Sequence, residues 1–190
     1  TFLNDANAGA FAEGIGSDLP SSFFYLSLSN TVGGAIFHDG NLLPGDAFRC
    51  GEAGHMTLIP DGKPCYCGKT GCVDAYCSAR LLSDLSGGRL EDFFLGLQQN
   101  NPDYRSVWDT YLKHLAVVIN NLHMILDYDI VLGGYVGSFL SPWLDTIRRL
   151  VAEHNTFEDD GSFVKLCTYQ TGAAAYGAAM DVMEEFLRTV

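Results

Sequence analysis

"GHMTLIPDGKPCYCGKTGCVDAYCS", running from Gly54 to Ser78, gathers four of the chain's six cysteines and a histidine into 25 positions. Counted from His55, thiols follow at ten, twelve and seventeen residues: Cys65, Cys67 and Cys72. A Cys-x-Cys pair does not readily close on itself within ordinary disulfide geometry, and a cytosolic setting disfavours disulfides. Gly68 and Gly71 let the backbone turn sharply between the sulfurs, so three thiolates and one imidazole can converge on a tetrahedron. The spacing predicts a structural zinc held by His55, Cys65, Cys67 and Cys72, in preference to reactive thiols or small buried hydrophobes. Such an ion would staple the loop over residues 50–78. Cys50, Cys77 and Cys167 have no comparable arrangement and read as free core or surface thiols.

Before this stretch the sequence is strand-rich. "FFYLSLS" (Phe23 to Ser29) is a β-forming run, and "GAIFHDGNLL" reads as two short strands joined at Asp39-Gly40, where both positions tolerate positive φ. After Ser78 helices take over. "SARLLSDLS" and "LEDFFLGLQQN" are short candidates, and a long helix is predicted from Pro102 to about Leu126. There Trp108, Tyr111, Leu112, Leu115, Ile119, Leu122 and Leu126 recur every three or four residues as one core-facing stripe. "DIVLGG" reads as a buried strand ending in a glycine turn, "PWLDTIRRLVAEH" as a helix, "FVKLCTY" as a strand and "GAAAYGAAMDVMEEFL" as a closing helix. The sum is an α/β layer with βα alternation in its second half.

No internal repeat or linker divides the 190 residues, and 47% hydrophobic against 18% charged content is enough for one cored domain. The formal net charge of −12, with scattered Lys and Arg, would repel a phosphate backbone, so this segment is not expected to bind nucleic acid. No apolar run approaches the roughly 18 residues of a membrane span, and "TFLNDANAGA" lacks a signal-peptide layout. A cytoplasmic protein without membrane contact is expected. Because the chain starts at Thr1 and enters motif-like sequence within a few residues, it reads as a fragment of a longer protein.

Three motifs resemble the ROK family of bacterial sugar kinases and sugar-responsive transcriptional repressors: "LNDANAGAFAEG" near the start, "GEAGH" at Gly51 to His55, and "CYCGKTGCVD" at Cys65 to Asp74. Their order is similar to that in the second lobe of the family's actin-like, ribonuclease H-like fold. The resemblance implies that residues 1–190 form a single C-terminal lobe, with the first lobe and any DNA-binding module absent. From spacing alone Asn4 and Asp5 read as helix caps; the resemblance gives Asp5 the role of general base toward a sugar hydroxyl. It also implies that Asn4, Asp5, Glu52, His55 and Asp74 contact a sugar, with one His55 nitrogen on zinc and the other facing that sugar. Gly33, Gly34, Gly133 and Gly134 match parts of the nucleotide side.

The chain departs from the family at several of these turns. Asp74 stands where a longer glutamate is usual, and Ser29, Asn30 and Thr31 replace a glycine-threonine-glycine phosphate turn. Ala35 and Tyr135 each occupy a usual glycine. Glycines let backbone amides approach phosphate closely, so these replacements argue against ordinary ATP binding. The reading favoured on this ground is the sugar-sensing domain of a ROK transcriptional regulator that touches DNA only through another segment. The alternative is the C-terminal lobe of a ROK sugar kinase using ATP and Mg on a hexose. A homodimer is implied either way, and the 190 residues alone are expected to be catalytically inactive.

Overall fold

The computed structural model describes residues 3–189. In chain order the elements are α1 (Asp5–Gly16), β1 (Phe23–Leu28), β2 (Val32–His38), β3 (Asn41–Leu42), α2 (Asp74–Cys77), α3 (Arg80–Ser83), α4 (Leu90–Gln98), α5 (Pro102–Leu126), β4 (Asp129–Gly133), α6 (Gly134–Gly137), α7 (Leu144–Ala152), β5 (Val164–Leu166) and α8 (Ala173–Thr189). The five strands form one mixed sheet in the order β3-β2-β1-β4-β5. The hairpin strands pair antiparallel, whereas β1, β4 and β5 are parallel.

Strand β1 is buried along its whole length, because helices cover both faces of the sheet. Its side chains alternate between two cores. Phe24, Leu26 and Leu28 join Trp108, Leu112, Leu115 and Ile119 of α5 in the larger one, while Phe23 and Tyr25 join Phe11, Phe37 and Val131 in the smaller. The long helix has the bounds its periodicity predicts. Asn101 caps it by accepting from the amides of Asp103 and Tyr104, and Asp127 ends it in the left-handed region at φ +54°. The Asp39-Gly40 turn also forms as predicted, with φ +46° and +79°.

Two predicted elements are shorter in the structure. Only Val164–Leu166 of "FVKLCTY" is strand; the Cys167 amide still donates to the Leu132 carbonyl of β4, and the chain turns at Gln170–Gly172 into α8. The helix expected from Pro142 opens instead with a tighter turn over Ser141–Trp143 before α7 begins.

The small residues of α1 allow α8 to lie close against it. A side chain at Gly177 would overlap the backbone of Ala8. Glu13 then ties α1 to the segment that precedes α8. Its buried carboxylate accepts from the amides of Thr168 at 2.7 Å and Tyr169 at 2.9 Å. Nothing in the sequence reading singled out Glu13, although an acid among alanines on an apolar helix was the available signal. Glu13→Ala leaves both amides unsatisfied and is expected to cost about 3 kcal/mol. Thermal unfolding should then show a Tm lower by roughly 6–12 °C for a chain of this size. Glu13→Gln keeps an acceptor and should lose much less.

Candidate functional site

The N-terminus of α1, the carboxyl ends of β1 and β4, and the start of α8 surround one crevice, the place where open α/β sheets ordinarily bind ligands. Asp5, Tyr25, Ser27, Ser29, Gly134, Tyr135, Gln170 and Thr171 line a cavity of about 100 Å³ there. Past Tyr135 and Thr171 lies a second cavity of about 270 Å³, bounded by Asn30, Ser83, Leu90 and Phe139. Asn4 is the cap of α1, its Oδ1 accepting from Asn7 at 2.7 Å, so its amide group remains available as a donor. Asp5 follows as the first helical residue, exposed, with Oδ1 accepting from the amide of Ala6 at 2.9 Å. The cap predicted for the pair therefore falls to Asn4.

The four glycines assigned to the nucleotide side have different surroundings. Gly134 lines the cavity, whereas Gly33 and Gly34 do not. Both lie within the paired part of β2, opposite Ser27 and Leu26. Gly33 sits beneath Ala6, and Gly34 is pressed between Phe24 and the carbonyl of Gly51. Close packing accounts for their lack of side chains. Gly133 packs on the buried ring of Tyr25, whose hydroxyl is kept from ionising by burial first and by nearby Cys167 second.

The segment Gly51–His55 runs along the outer edge of β2. Gly51 has φ +87°, and a Cβ there would come within 2.5 Å of the Gly34 carbonyl oxygen. Glu52 and His55 stand exposed on this segment while Ala53 and Gly54 are buried. Asp74, by contrast, is buried, and its Oδ1 accepts from the amide of Val32 at 2.6 Å. One carboxylate oxygen of this expected sugar contact is therefore committed to holding the first residue of β2.

Between these points the chain forms a pinned loop without regular structure. Bridges join Thr57 to Cys72 and Pro64 to Thr70, and the amides of Leu58 and Ile59 both donate to the Gly71 carbonyl. Gly71 takes φ +78° against the Ile59 carbonyl, where any Cβ would overlap it. The Tyr76 hydroxyl accepts from the amide of Lys63, and the Tyr111 hydroxyl donates to the Cys77 carbonyl, anchoring the loop's exit on α5. The ligand-type atoms of His55, Cys65, Cys67 and Cys72 lie within 4.8 Å of one another. Cys67 Sγ and Cys72 Sγ are 3.7 Å apart. A tetrahedral ion with Zn–S bonds of 2.3 Å has an S···S edge of about 3.8 Å, so the donor set and spacing suit zinc. Cys50, Cys77 and Cys167 are free thiols, as expected; Cys77 and Cys167 are buried.

The mixed sheet, helices on both faces and the crevice at its switch point define one α/β lobe of the actin-like ATPase fold. The ROK family profile matches residues 1–185, and the chain belongs to the ROK family. It is 30% identical over 188 residues to the N-acetylmannosamine kinase of Salmonella typhi, covering 94% of this chain and 62% of that protein. The ROK glucokinase of Streptomyces griseus, solved with glucose and AMPPNP, superposes with a TM-score of 0.79 at 23% identity, over 95% of this chain and 67% of the other. A ROK transcriptional regulator homologous to the Mlc protein of E. coli superposes with a TM-score of 0.71 at 23% identity, over 94% and 51%. The chain spans one half to about two thirds of the length of the curated relatives it matches.

Atomic absorption on protein purified under reducing, chelator-free conditions is expected to find about one zinc per chain. Cys67→Ser should lose that metal and melt at lower temperature, because the ion's binding energy is coupled to folding. A variant with an unchanged melting curve would show that these thiols do not staple the loop.

Proposed function

We propose that this chain is the sugar-binding second lobe of a two-lobed ROK protein and, of the two activities in the family, that it serves a sugar kinase acting on a hexose or N-acetylated amino sugar. The observation that carries this reading is the position of Asp5. Its carboxylate stands free of any ion pair among the described residues, at the mouth of a cavity that it shares with Ser27, Ser29 and Gly134. A general base needs that kind of placement, within hydrogen-bond reach of a hydroxyl and beside the space for the group that the hydroxyl attacks. The similarity to N-acetylmannosamine kinases supports the same reading. It also shifts the balance from the regulator that the altered phosphate turns favoured.

In this proposal Glu52 and His55 hold the sugar hydroxyls from the β2 edge, the amide of Asn4 adds a donor, and Asp74 keeps the edge in place with one carboxylate oxygen. Asp5 takes the proton from the attacking hydroxyl. Ser27, Ser29, Gly134 and Tyr135, rather than Gly33 and Gly34, border the phosphate side, and the cavity beyond Tyr135 offers room for a nucleoside. ATP with Mg would supply the phosphoryl group. Zinc on His55, Cys65, Cys67 and Cys72 would order the sugar side without taking part in the chemistry.

A sugar-responsive regulator is the second reading, and Thr31 and Tyr135 favour it. Exposed side chains stand there in place of turn glycines, and Tyr135 projects where the two cavities meet.

The deciding experiment is ATP-dependent phosphorylation by the full-length protein across N-acetylmannosamine, mannose and glucose, with sugar binding followed in parallel. The expected outcome is turnover that falls about 10²- to 10⁴-fold in Asp5→Asn, with sugar affinity largely kept. Sugar binding without any turnover would remove the kinase reading and leave the regulator.

A further inference from the structure

Tyr135 occupies a usual glycine position, and the turn before it fixes its place. Gly134 takes φ +76° against the end of β1, where a Cβ would come within 2.7 Å of the Leu28 backbone. The next residue therefore leaves the backbone beside that strand end, and it borders both cavities of the crevice. Tyr135 is 47% exposed, and among the described residues its side chain makes no hydrogen bond, ion pair or ring contact.

Four residues on, Phe139 borders the larger cavity. Its ring stacks on Phe94 with centroids 4.3 Å apart and planes at 7°, and Phe94 in turn meets Trp108 of α5 edge to face. The core thus braces Phe139 from behind. Asn30, Ser83, Glu91 and Ser138 bring polar groups to the same space, yet among the described residues that line it there is no Lys, Arg or His, and Glu91 is the one carboxylate. Such walls repel a chain of further phosphates. They suit an uncharged planar heterocycle, whose faces an aromatic ring covers and whose amino groups find acceptors. About 270 Å³ stays open with Tyr135 in place, so its ring bounds the space without filling it.

We propose that Tyr135 is a specificity-determining residue of the phosphoryl-donor site: with Phe139 it forms an aromatic wall that takes the donor's nucleoside and disfavours a bare polyphosphate. This rests on the reading of the crevice as the nucleotide side of a kinase. The replaced glycine then marks an altered hold on the nucleoside, not a lost one.

The test is isothermal titration calorimetry of the full-length protein with ADP and with pyrophosphate, each with Mg, using wild type, Tyr135→Phe and Tyr135→Ala. Melting temperature is measured on the same samples. Wild type is expected to bind ADP more tightly than pyrophosphate. Tyr135→Ala should weaken ADP about tenfold, leave pyrophosphate within about twofold and keep its melting temperature. Tyr135→Phe keeps the ring and should stay within about threefold of wild type. Unchanged ADP affinity in Tyr135→Ala would overturn the wall alone, and tighter ADP binding would do so by making the ring an obstruction. An equal loss of ADP and pyrophosphate, or an equal loss in Tyr135→Phe, would overturn it too, because the phosphates or the hydroxyl would then carry the effect. Wild type holding both ligands equally would overturn the selectivity. Wild type binding neither would instead overturn the nucleotide-side reading, and the wall with it.

Discussion

The backbone of Gly51–His55 lies against the outer edge of β2, and the rest of the candidate site depends on that contact. An unpaired strand edge presents amides and carbonyls that need cover. Here a loop covers it at a distance only glycines allow: Gly51 meets Gly34, and Gly54 meets Val32. From the opposite end of the loop Asp74 reaches back to the Val32 amide. Entry and exit of the cysteine loop are therefore fixed on the same two or three residues of one strand. Glu52 and His55 project from that line because their neighbours are buried beneath them.

The first turn of α1 meets the same strand from the sheet's other face, with Ala6 above Gly33. That contact brings Asp5 to the cavity at the ends of β1 and β4 while the thiol loop stays at the β2 edge. Glu13 secures the far end of α1 to the chain that leads into α8, whose first residues complete the cavity wall.

Much of the fold was legible because it is written in local periodicity. The α5 stripe, the Asp39-Gly40 turn and the βα alternation each depend on residues within one or two turns of each other. The metal-type cluster was legible for a related reason, since four ligand atoms within 18 residues of chain are constrained by the loop that carries them. The resemblance to the ROK family added roles that spacing could not, above all for Asp5, which alone looks like an ordinary helix-start acid. At some positions that the motif assigns to chemistry the structure also shows close packing. Gly33 and Gly34 make room for Ala6, Phe24 and the Gly51 carbonyl, and one oxygen of Asp74 serves a backbone amide.

By itself the sequence determined the elements, their order, the cluster of His55 with three thiols, and the family. Tertiary structure alone decided which groups share a space. Asp5 meets Gly134 across 129 positions of sequence, Glu13 meets Thr168 across 155, and Asp74 meets Val32 across 42. Such meetings follow from the order of strands in the sheet and from how closely small residues let helices and loops approach it. Local spacing carries no record of either, which is why Glu13 drew no notice until the chain was folded.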